Sequence, residues 1–107
     1  MPDENQKRLA FQALVDRVLT GAGRTSPEQR ASAFSNTDLS PPLQALIGKV
    51  ASRPAQLKDA DFDAPKASGY SEDQLFELVI AAAVGQSARL YDAGLAALAE
   101  ATAAGES

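Results

Sequence analysis

From Ser71 onward the chain carries the pattern that most restricts its fold: a helix start followed by the longest periodic run in the sequence, reaching at least Leu98. Ser71-Glu72-Asp73-Gln74 has the form of a capping box, in which a serine hydroxyl satisfies an orphan backbone N–H and the glutamine side chain reaches back to the cap. Within the run, Leu78 to Val84 reads Leu-Val-Ile-Ala-Ala-Ala-Val, with no polar residue for nearly two turns. A helix that is apolar on every side has to be buried on every side, by its own domain or by another subunit. Four short helices can hardly cover it, so Phe76, Val79, Ile80, Ala83 and Val84 are the expected subunit contacts. The alanines and Gly85 permit close backbone approach between helices. A fully covered core helix is the plainer alternative.

The rest of the chain supplies shorter helices. Between Asp3 and Thr20, Phe11, Leu14, Val15 and Val18 form an i, i+3, i+4, i+7 stripe, flanked by Leu9 and Leu19, and Gly21 and Gly23 end it. This stripe is also suited to docking in a partner's groove. Ser26-Pro27-Glu28-Gln29 combines a serine cap, proline at the first helical position and a capping-box glutamine, and predicts a helix to about Phe34. The Ser, Asn, Thr and Asp residues from Ser35 to Leu39 predict a loop. Ser40-Pro41 starts the next helix, with Leu43, Leu46, Ile47 and Val50 on one face, ending before Pro54. Asp59 to Ser68 reads as one more short helix, closed by Gly69 and shortened or kinked by Pro65. The alanine-rich tail from Ala99 is expected to fray after Gly105.

With 107 residues, one domain spanning 1–107 is the expectation, and 45 % hydrophobic with 22 % charged residues is a globular balance. A domain of this size buries a modest fraction of its surface, which favours oligomerisation. Cysteine and histidine are both absent. The first absence excludes disulfides, thiolate metal sites and thiol redox chemistry; the second removes the usual general base and the commonest metal ligand. No catalytic residue, cofactor or metal is therefore assigned, and an enzyme is not the expectation. No apolar stretch reaches about 18 residues, and Met1 to Ala10 is polar, so neither a membrane segment nor a leader is expected and the cytoplasm is the default.

The net charge of −4 is unevenly placed, with +3 over residues 1–58 (eight Lys/Arg against five Asp/Glu) and −7 over residues 59–107 (two against nine). Such asymmetry can orient two copies or a partner, and serves solubility in the plainer reading. Nucleic acid is not an expected partner, because the basic half clusters neither Lys/Arg nor stacking aromatics.

Three constellations carry candidate chemistry. Glu77, beside Phe76 and one turn after Asp73, is a possible acid or base if partial burial raises its pKa, while a solvated polar stripe of the two is the favoured reading. Arg89 with Tyr91 and Asp92 is able to bind an anion or to form a salt bridge across a helix interface, the latter being favoured. Glu77, Arg89 and Tyr91 are thus the candidate ligand or interface contacts. Asp59-x-Asp61-x-Asp63 starts like a calcium loop, but Ala64 and Tyr70 stand where glycine and a bidentate glutamate are needed. Gly21-Ala22-Gly23-Arg24-Thr25 lacks the Gly-Lys-Ser/Thr of a phosphate loop.

Asp61-Phe62, Ala67-Ser68-Gly69-Tyr70-Ser71-Glu72-Asp73-Gln74-Leu75, Glu77 to Val84 and Ala88-Arg89-Leu90 together give residues 43–98 a pattern that resembles the carboxymuconolactone decarboxylase and alkylhydroperoxidase-D-like superfamily. The resemblance implies an all-helical, commonly oligomeric fold. Redox members carry Cys-x-x-Cys and, four residues on, a histidine eight residues before the glycine. Counted from Gly69, those positions hold Pro54, Leu57 and Asp61, which cannot exchange electrons or protons near neutral pH. The expectation is therefore an all-α bundle of about five helices, one long and C-terminal, without peroxidase activity. It would act as a structural or interaction partner, in a homo-oligomer or with a related protein. A cysteine-independent enzyme or small-molecule binder with a pocket between helices is the alternative.

Overall fold

Helix α1 covers Glu4–Thr20 in this computed structural model, which describes residues 4–106. Gly21 closes it, donating its N–H to the Arg17 carbonyl at 2.9 Å. α2, Pro27–Ser35, opens on the expected box: Gln29 N–H donates to the Ser26 hydroxyl at 3.1 Å, and Ser26 N–H donates to the Gln29 side chain at 3.0 Å. It ends at Asn36, whose φ of 54° is a left-handed C-terminal cap. α3, Pro41–Ser52, begins without a side-chain cap bond from Ser40, so the preset φ of Pro41 carries that start.

The single helix expected over Asp59 to Ser68 is divided. A tight 3-10 turn at Asp59–Phe62 leads into α4, Asp63–Ala67, and Pro65 sits within the first turn of α4, where its missing N–H has no intrahelical partner to lose. Proline therefore displaces the helix start instead of kinking a longer helix. Gly69, at φ 106°, closes α4 as expected. Its N–H donates to the Lys66 carbonyl at 3.0 Å, and Tyr70 N–H donates to that of Pro65 at 3.2 Å.

α5, Glu72–Glu106, starts on the second capping box, with Gln74 N–H to the Ser71 hydroxyl at 3.1 Å and the return bond at 2.9 Å. Its 35 residues meet the expected reach to at least Leu98 and stay helical to Glu106, the first residue at which fraying was expected; Ser107 lies outside the described residues. At 1.5 Å per residue α5 is about 52 Å long, nearly the whole 57 Å length of the molecule. Among the described residues the protein is an all-α bundle of five helices, and none is long and apolar enough to cross a membrane.

The core lies along one side of α5. Leu75, Leu78, Ala81 and Ala82 are buried with Ala33 of α2 and with Leu43, Leu46, Ile47 and Val50 of α3, the residues the periodicity selects. Gly85 fulfils the expectation of close approach within the chain, since a Cβ there would run into the Phe34 carbonyl. α1 is held more loosely. Phe11, Val15 and Val18 are half-buried, Leu9 and Leu14 are exposed, and no described side chain of α1 is fully buried.

Burial on every side of the run Leu78 to Val84 does not occur in the single chain. Phe76 is 66 % exposed, Ile80 39 %, Ala83 is exposed, and Val79 and Val84 are only half-buried. The shorter helices gather on one side of α5 and leave the other bare.

Candidate interaction site

Phe76, Ile80, Ala83, Ser87, Leu90 and Gly94 follow one another on α5 at alternating spacings of four and three residues, which keeps them on one helix face. All six are exposed, and none is charged. Tyr91 and Leu98 flank this line. Seven large hydrophobic residues are exposed among those described, and five of them, Phe76, Ile80, Leu90, Tyr91 and Leu98, lie on this face. The other two, Leu9 and Leu14, are on α1. A solvated helix face is normally rich in charge; a continuous exposed apolar strip marks a surface suited to contact.

The expected site residues occupy three different environments. Glu77 is neither a proton donor with a raised pKa nor part of a solvated stripe. Its carboxylate accepts from Arg24 N–H at 2.6 Å, Thr25 N–H at 3.0 Å and the Thr25 hydroxyl at 2.8 Å. Burial works to raise its pKa, but these donors, with the charge of Arg30 nearby, outweigh that and hold it below 4.5. Arg30 is itself buried, donating Nη1 to the Val18 carbonyl at 3.0 Å while Nε has no partner. Glu77 thus fastens the loop after α1, with the buried guanidinium of Arg30 near enough to add to the lowering of its pKa. Gly23 belongs to this clasp, because a Cβ there would press on the Glu77 Oε1 at 2.6 Å.

Among the described residues Arg89 makes no ion pair. Its Nη1 donates to the Phe34 carbonyl at 2.8 Å, and Nε and Nη2 donate to the Gln86 side chain at 3.3 and 3.1 Å. It closes the C-terminus of α2, where cations complement the helix dipole. Tyr91 stacks in a tilted arrangement on Phe11, with centroids 5.7 Å apart. Both line a cavity of about 640 Å³ between α1 and α5, with Val15, Phe34 and Leu95 as apolar wall. Arg8, Gln12, Asp16 and Asp92 are its polar groups; Glu77 and Arg89 are not among its lining. The three candidates are therefore not brought into one pocket.

At the positions counted from Gly69, Pro54 opens a 3-10 turn and Leu57 ends it. Asp61 accepts from Lys58 N–H at 2.7 Å and from Lys49 Nζ at 3.0 Å. Those two donors hold its carboxyl below the usual value. It is a fastening between α3 and the 3-10 turn. Asp59, Asp61 and Asp63 do not converge, and among the described residues no three acidic groups are placed to hold a metal ion. No family model, curated protein or solved structure matches the chain.

The contacts of Glu77 and Arg89 escaped the sequence reading because they span 52 and 55 residues. Of the expected subunit contacts, Phe76, Ile80 and Ala83 lie on the exposed line, whereas Val79 and Val84 are half-buried and Ser87, Leu90 and Gly94 extend the line beyond the apolar run.

Proposed function

We propose that the protein works by association, through the exposed apolar face of α5, as a chemically silent relative of the carboxymuconolactone decarboxylase-like fold. The observation that carries this is the uncharged line Phe76, Ile80, Ala83, Ser87, Leu90 and Gly94, bare in the single chain. The all-α architecture with a long capped helix after Gly69 is what the family reading requires, and the structural use of Asp61, Leu57 and Pro54 supports its chemical silence. The occupant is either a second copy or a related helical protein, and a cytoplasmic setting accords with the composition. Sedimentation equilibrium tests the reading: a mass above 11.1 kDa at micromolar concentration is expected, and Leu90→Glu should lower it to that of one chain. A mass unaffected by Leu90→Glu, or a single chain throughout with no binding to a related helical protein, would sink it.

A second reading, binding of a small apolar molecule, is favoured by the cavity between α1 and α5. It predicts that 8-anilinonaphthalene sulfonate binds the folded chain and that Val15→Trp, which takes up part of the cavity between Phe11 and Leu95, weakens the signal. An undiminished signal in Val15→Trp would remove that reading.

A further inference from the structure

The line of residues on α5 is complementary to itself when reversed. Turned about its midpoint between Ala83 and Ser87, it brings Phe76 over Gly94, Ile80 against Leu90, and Ala83 against Ser87. Each opposed pair then joins a large residue to none, two aliphatic residues, or two small ones. We infer that the occupant of this face is a second copy of the chain, with the two α5 helices antiparallel and a two-fold axis between Ala83 and Ser87, level with Gly85 but on the opposite side of the helix from it. This rests on the association reading and specifies its partner and geometry.

Four observations support the arrangement. A two-fold interface must present one patch to itself, and the reversed line does so without a gap or a clash of bulk. A parallel pair would set Phe76 on Phe76 and Leu90 on Leu90, leaving Gly94 facing Gly94. Antiparallel packing also opposes the helix dipoles and separates the two copies of Asp73, at the acidic start of α5. Gly94 supplies the third. It lies within an exposed helix, where glycine costs about 1 kcal/mol relative to alanine, and a Cβ there would meet nothing within 4 Å. Nothing in the single chain uses the bare backbone, whereas a facing Phe76 does. The fourth is area. Phe76, Ile80, Leu90, Tyr91 and Leu98 together expose on the order of 500 Å² per copy, so these side chains give a pair at most about 1,000 Å², the lower bound for a specific interface.

The chain has no cysteine of its own, so introduced thiols report the geometry without background. Ala83→Cys and Ser87→Cys variants, each exposed and free of core contacts, should form a disulfide on mixing and oxidation, faster than either does alone. Gly94→Leu is the second test. It should make the single chain more helical by circular dichroism yet weaken association at least tenfold, and adding Phe76→Ala should restore part of the loss. If the protein sediments as a dimer but Ala83→Cys and Ser87→Cys each link to themselves in preference to each other, the antiparallel geometry is overturned while association stands. A chain that stays single with itself and still binds a related helical protein through Leu90 overturns the second copy as occupant. A chain that binds neither overturns both readings.

Discussion

The Glu77 carboxylate receives the backbone N–H of Arg24 at 2.6 Å, a bond between residues 53 apart that fastens the turn after α1 to the long helix. The Thr25 N–H and hydroxyl reach the same carboxylate at 3.0 and 2.8 Å, so one side chain holds two successive loop residues.

Removing that charge tests the clasp. Glu77→Gln keeps the shape but weakens the bonds from Arg24 and Thr25, and should cost on the order of 1 kcal/mol in urea unfolding. Loss of amide protection at Arg24 and Thr25 in hydrogen exchange should accompany it, and an unchanged unfolding midpoint would contradict the assigned role.

Acid should act through the same group. The folded pKa of Glu77 lies below 4.5, as do those of Asp61 and Glu72 below their own ordinary values, held down by Lys58 with Lys49 and by Lys66 respectively. Their contribution to stability is complete above about pH 4.5 and is lost as pH falls through the lowered folded values, because the unfolded chain takes up protons first. Denaturant midpoints measured from pH 6 downward should stay level and then fall, with a shallower fall in Glu77→Gln.

Two glycines should respond unequally to alanine. At Gly85 the added Cβ meets the Phe34 backbone, which cannot turn aside, and a loss of about 3 kcal/mol or failure to fold is expected. At Gly23 it meets the end of the Glu77 side chain, which can shift, so the loss should be smaller. Thermal unfolding of both variants gives the order directly.

Arg89→Ala removes the cap on the Phe34 carbonyl and should lower stability by about 1 kcal/mol. Because Arg89 lies outside the cavity lining, binding of an apolar dye there should be unchanged, and a large change in dye affinity would return Arg89 to the list of ligand contacts.

Local chemistry was the legible part of this fold. Ser26 with Gln29 and Ser71 with Gln74 start helices through bonds between residues three apart, so sequence order alone contains them. The core face Leu43, Leu46, Ile47 and Val50 was equally plain, since helical spacing sets it. The break at Phe62 was less so, because Pro65 is tolerated in a first turn and forbidden only deeper in a helix. The clasp at Glu77 and the cap at Arg89 depend on which helices meet, which no window of sequence records. An uncovered side of α5 was legible, since four short helices can hardly enclose an all-round apolar run, but which residues it contains beyond Ala83 depends on the arrangement of α1 to α4.

From residue 96 to residue 103 every side chain of α5 is exposed. An alanine-rich helix end of this length with nothing beside it sits near the midpoint between helix and coil. Any neighbour laid along α5 would shift that balance, so the backbone order of this end is a gauge of occupancy. Far-ultraviolet ellipticity of the whole protein should then rise with concentration, and the slope would report how often the face is covered.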